Sequence, residues 1–222
     1  MAGVFSLGQD CGDDEVQIIW AKILAGEVSQ PGRVSRKTLA IVKTLGKEDA
    51  HLFTKVCSYA WTVPKHSRLI LLRDGAVTKG EENQPELIKP NEVQATPEDP
   101  ERPQWNMDMI YEELAQLQYL GLISLTDFPL GTTATDRFLA CYFGRAFVSI
   151  FKGSFDVVLG FANFTQAGSE LFPFSSAVPD ENYLQRTVEW YRSKQKMQFK
   201  EFKATHVEGD TWNLSPLDEN AG

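Results

Sequence analysis

Residues 13–61 hold three apolar stripes at helical spacing, cut apart by hard stops, and no other feature constrains the fold as much. In the first stripe Val16, Ile19, Trp20, Ile23 and Leu24 recur three and four apart, which puts them on one helix face. Asp13 or Asp14 can cap this helix, and Glu15 suits its first turn. Gly26 stands where a helix C′ residue would, and Pro31-Gly32 prevents continuation. Ser35 is placed to cap a second helix, 36–45, with Leu39, Val42 and Leu45 inward and Gly46 at its end. A third helix is predicted from about Lys47 to Trp61, with Ala50, Phe53, Val56, Cys57, Ala60 and Trp61 on one face. None of the three can bury its stripe alone, so they pack together or on a partner.

The pattern then changes. Leu69-Ile70-Leu71-Leu72 ahead of Arg73-Asp74-Gly75 reads as a strand entering a turn. Residues 78–105 hold Pro85, Pro90, Pro97, Pro100 and Pro103 among many acids, the composition of an extended mobile loop. Asn106 can cap a helix carrying Ile110, Leu114, Leu117 and Leu120, closed by Gly121 and followed by the apolar run 122–125. Residues 138–151 and 154–165, rich in aromatic and β-branched side chains around Lys152-Gly153, predict a hairpin. A short helix capped by Thr165, a helix over 181–194, a strand over 197–207 and a last strand near Thr211–Leu214 complete the chain.

The composition is that of a globular protein, with 42% hydrophobic and 23% charged residues. No apolar run approaches a membrane span, and the N-terminus lacks the features of a secretory signal, so cytoplasm is the expected location. Cys11, Cys57 and Cys141 are too few for a disulfide framework. His51, His66 and His206 sit in no metal-ligand spacing, and His51 and Cys57 fall on different faces of one helix. Walker, GxGxxG and Gly-x-Ser-x-Gly patterns are absent, so no catalytic residue and no cofactor is assigned.

The net charge of −8 is unevenly spread. Residues 76–137 hold 12 acidic against 4 basic residues, whereas residues 1–75 hold 8 against 10. Within that basic third, Arg33, Arg36 and Lys37 gather at the entrance of helix 36–45. Free N–H groups at a helix start favour anions, so cations there imply a negative group between them. Glu27, Asp13, a phosphate or a partner carboxylate are candidates, and a solvated basic face is the plainer reading. A nucleic-acid contact through helix 36–45 is the alternative function. Helix 106–120 carries Asp108, Glu112 and Glu113 with no Lys or Arg, which opposes duplex binding there.

The order helix, L-G-L-I, two strands, then F-T-x-A-G-x-E-L resembles the end of winged-helix domains, with Gly121 reversing the chain and Thr165 capping the last helix. More specifically, W-A-K-I-L-A-G-E-V-x-x-P-G-x-V-S-x-K-T-L followed by L-G-K-E-D-A-x-L-F is similar to the bacterial domain-of-unknown-function 2806 family. The matches lie at Trp20–Phe53, Leu117–Ile123 and Phe164–Leu171. Trp20, Gly26, Pro31, Gly32, Ser35, Gly121 and Gly168 are the motif's structural residues. A looser echo of the Abi-alpha abortive-infection family covers residues 17–53. Two features depart from the pattern: Gly46 replaces a Ser or Thr cap, and the extension before the Trp helix is short, which suggests a shortened member or a piece lacking an N-terminal effector part.

The expectation is therefore an α+β chain. Residues 13–62 form a helical unit, 63–77 a strand and turn, 78–105 the acidic loop, and 106–215 a winged-helix-like unit with an antiparallel hairpin and added C-terminal strands. The expected role is a non-enzymatic protein-interaction or regulatory module in a bacterium, in phage defence, acting through a protein partner or self-association.

Overall fold

A computed structural model describes residues 14–29, 31–63, 69–71, 77–79, 109, 111–193, 197–208 and 211–216. The chain is α+β, with an antiparallel sheet, and divides into two compact units, each drawn from three stretches of sequence.

The first unit comprises residues 1–59, 109–125 and 163–178. Its helices are α1 (Asp14–Ser29), α2 (Arg36–Val42), α3 (Lys47–Cys57), α4 (Tyr111–Tyr119) and α5 (Gln166–Leu171), followed by a 3₁₀ turn, Phe172–Phe174. The stripes find partners within this unit: α1 packs on α3, α3 on α4, and α2 on α5. Ile19, Ile23, Val42, Leu45, Phe53 and Val56 are buried, along with Leu114 and Leu117 of α4. Phe53 meets Phe164 edge-on, with ring centroids 6.1 Å apart.

Three helix ends differ from the sequence reading, the second helix stopping at Val42 and not at Leu45. Gly26 does not end α1, which continues to Ser29. An added Cβ at Gly26 would lie 3.0 Å from Phe174 Cε1, so the glycine serves a close approach of a ring to the helix. The third helix stops at Cys57 rather than Trp61. Ala60 and Trp61 form a strand instead, because their backbone pairs with Leu71 and Ile70. Tertiary pairing there overrides a periodicity that ran on by chance. The side chain of Trp20, Asn106 and most of the acidic loop lie outside the described residues. The loop's first two residues, Thr78 and Lys79, belong to a strand paired with Asp156 and Phe155.

The second unit comprises residues 60–108, 126–162 and 179–222. It contains most of a sheet built from β1 (Ala60–Thr62), β2 (Leu69–Leu71), β3 (Val77–Lys79), β4 (Ile123–Tyr142), β5 (Arg145–Phe164), β6 (Phe199–Glu208) and β7 (Thr211–Pro216). The order is β2-β1-β4-β5-β6-β7; β3 pairs with β5, and a further β2–β5 pairing closes β1, β2, β5 and β4 into a ring. Helix α6 (Glu181–Ser193) accompanies it.

The hairpin turns at Phe143-Gly144, not at Lys152-Gly153. Phe143 has φ 44° and Gly144 φ 78°, and two positive φ values are what a two-residue type I′ turn requires. Residues 145–164 then run as one strand across the expected break. Trp61 anchors this unit's core, its ring 4.9 Å from Tyr142 and 5.3 Å from Phe147. The indole N–H donates to the Tyr183 hydroxyl at 3.1 Å, so the polar atom of a buried Trp is satisfied.

Candidate functional site

Two residues of the opening motif, Ser35 and Thr38, meet on one carboxylate. Ser35 is extended, with φ −68° and ψ 155°, and its hydroxyl accepts from Thr38 N–H at 3.1 Å, capping α2 as expected. Its own N–H points away from the helix and donates to Glu170 Oε2 at 2.8 Å. Thr38 Oγ1 donates to the same oxygen at 2.6 Å. With the Thr38 proton used there, the 2.9 Å contact between Ser35 Oγ and Thr38 Oγ1 has Ser35 as donor. The other oxygen of Glu170 accepts from Gln166 Nε2 at 2.8 Å.

Glu170 is held in place from behind. Thr165 caps α5 by accepting from Gly168 N–H at 3.1 Å. The same hydroxyl donates to the Gly121 carbonyl at 2.6 Å. Gly121 has φ 74°, which lets the chain reverse after α4. Gly168 lets α5 sit against the Leu122 carbonyl. Two motifs separated by more than 100 residues thus meet at Thr38 and Glu170. Partial burial pushes the Glu170 carboxyl upward, but hydrogen bonds from Thr38, Ser35 and Gln166 outweigh it and hold the group below its ordinary value.

The three basic residues separate. Arg33 is exposed and lies over the Phe174 ring, its Cζ 5.4 Å from the centroid, a cation–π contact. Arg36, Lys37 and Ala40 are exposed on the side of α2 opposite Thr38 and Val42, and Lys43 and Thr44, in the turn just past its end, are exposed too. The anion at the helix entrance is Glu170, which sequence reasoning did not single out. Its signal was the Glu in F-T-x-A-G-x-E-L, read only as part of a helix start. Pro31 is exposed, and Gly32 takes φ 85°. Lys22 reaches the Ser175 carbonyl at 3.3 Å and Ser176 Oγ at 3.2 Å.

Helix α4 shows a second outward surface. Tyr119 is 91% exposed and Tyr111 60% exposed, with Glu112, Gln116 and Gln118 also exposed. Glu113 instead pairs with Lys55 at 3.4 Å. Cys57 is buried, and burial drives its thiol far up despite a hydrogen bond with Ser175; burial pushes Cys141 up to about 12. Both are therefore protonated at neutral pH. His51 is exposed while Cys57 is buried, so they form no pair. Among the described residues no group of three or more His, Cys, Asp or Glu could hold a metal ion, and no helix is long and apolar enough to cross a membrane.

Fold and node together define an α+β protein whose motif residues tie a capped helix to a distant carboxylate. Residues 1–187 match the family model described as a protein of unknown function, DUF2806, and the chain belongs to that family. No curated protein and no solved structure matches it.

Proposed function

We propose that this chain is a non-enzymatic protein-interaction or regulatory module. The observation that supports it best is the outward face of α4, where Tyr111 and Tyr119 stand largely in solvent beside Glu112. Tyrosine supplies large contact area with a polar tip and little rotamer entropy to lose, which suits protein interfaces. Residues 111–119 contain no Lys or Arg, so this face is matched to protein and not to phosphate. We read the first unit as winged-helix-like, with α4 in the position of the recognition helix and turned to a protein contact. The setting we propose is bacterial phage defence, on the pattern shared with the Abi-alpha family over residues 17–53.

Plating a phage panel on cells expressing the full chain tests the reading. Protection that Tyr111→Ala with Tyr119→Ala abolishes, without loss of folded protein, supports it. Turnover of phosphodiester, nucleotide or ester substrates by the purified chain would replace it with an enzymatic one.

A further inference from the structure

We infer that the outward face of α2, with Arg36 and Lys37, together with Lys43 just past its end and Lys47 at the start of α3, is a docking surface for an acidic polypeptide segment of a partner protein. This rests on the reading of the chain as an interaction module and names the chemistry of one partner.

All four cations are exposed, and among the described residues no side chain of the four has a hydrogen-bond or ion-pair partner. Arg33 is different, since its guanidinium is spent on Phe174. The anion that the helix entrance attracts is already in place as Glu170, which reaches Ser35 and Thr38 on the inner side. The outer cations are therefore not what satisfies the helix start. Ala40 and Thr44 lie between them and are exposed, so the face is a low shelf rimmed by positive charge, open to close approach by an extended backbone.

A chain of net charge −8 keeps this positive face against its overall field. An acidic segment is its electrostatic complement, and steering toward the face raises the association rate. Duplex nucleic acid fits less well. Its charge repeats about every 1.7 Å along the axis, so it extends past the patch. Beyond Lys47 it would meet Glu48, exposed in the first turn of α3, beside Asp49. A polypeptide sets its carboxylates at separate points and can end where the cations end.

The test uses the full chain and two labelled probes, a Glu-Ala repeat peptide of about 20 residues and a duplex DNA of about 20 base pairs, followed by anisotropy at about 50 and about 200 mM salt. The peptide is expected to bind and to weaken with salt. Arg36→Glu with Lys37→Glu and Lys43→Glu should weaken it at least ~10-fold. Reversing Lys200 and Lys203, exposed on β6, should leave it within ~2-fold. Matching melting curves show that the variants are folded. Failure of the peptide to bind, or equal binding by all variants, overturns the inference. Tighter binding of the DNA, lost with the same three reversals, also overturns it and gives the face to nucleic acid. None of these results touches the module reading, which turnover by the purified chain alone would remove.

Discussion

Gly168 lies so close to Leu122 that a Cβ on it would stand 2.0 Å from the Leu122 carbonyl oxygen. That oxygen cannot retreat freely, because it also accepts from Thr165 N–H at 3.0 Å. Gly168→Ala should therefore cost about 2–4 kcal/mol, at the upper end for overpacking, since backbone must move. Gly32→Ala is the comparison: its surroundings are open, and only φ +85° opposes it, at about 1–2 kcal/mol. Urea unfolding of both variants decides. Equal losses would mean that the α5 approach is looser than the geometry says.

Gly26 makes the opposite case. It sits inside α1, where Ala is favoured over Gly by about 0.8–1 kcal/mol. The obstacle is a side-chain ring, Phe174, at 3.0 and 3.3 Å. Phe174 is buried, so the ring cannot swing away without cost. Gly26→Ala alone should destabilise by about 1 kcal/mol, and the loss should shrink or reverse in a Phe174→Leu background. Additive effects in the double variant would show that the two residues are not in contact in solution.

These glycines mark the limit of what the sequence made legible. Caps at Ser35 and Thr165 and the turn at Gly121 follow local rules, and each is where those rules put it. Gly26 and Trp61 obey the same local rules and were misplaced by them. What decides each is a partner outside the local pattern: Phe174 for the one, the neighbouring strand at Ile70 and the distant Tyr183 for the other. Lys152-Gly153 and Phe143-Gly144 are comparable hairpin signals by composition. What distinguishes them is the pairing of residues 145–164 as one strand with β4, with β3 and with β6, and the last of these lies some 50 residues on. At the candidate site the basic residues were visible, and the carboxylate that meets Ser35 and Thr38 was not. Nothing local tells a Glu in a helix motif that it will face Ser35.

Glu170 gives a pH-dependent prediction. Its folded-state value is lowered, so the unfolded chain binds the proton more readily, and stability rises with pH through that range. The contribution is fully present above the ordinary carboxylate range, near 4.3, and is lost as pH falls through the depressed value. Glu170→Gln keeps an acceptor but not the charge. It should cost about 1–2 kcal/mol at pH 7 and progressively less below about pH 4. Glu170→Ala strands the buried Thr38 hydroxyl and the Ser35 N–H and should cost more. A wild-type-to-Gln difference that stays constant from pH 7 to about pH 3 would show that the charge is not what stabilises the node.

The indole of Trp61 and the hydroxyl of Tyr183 supply the last test. Trp61 is 2% exposed and Tyr183 fully buried, so their 3.1 Å hydrogen bond has no water to replace it. Burial raises the Tyr183 hydroxyl well above its ordinary value, while the Trp61 hydrogen bond pulls the other way. The group should thus stay protonated past pH 10, and its stabilisation is lost only as pH rises above the unfolded value. Tyr183→Phe leaves the indole N–H unmet and should cost about 1–3 kcal/mol. Trp61→Phe removes the donor but opens space beside Tyr142 and Phe147, at about 2–3 kcal/mol. In the double variant the orphaned donor is gone, so the summed single losses should exceed the double loss by about 1 kcal/mol. Strict additivity would mean that the bond contributes nothing beyond packing, and that the β1 anchor is held by its rings alone.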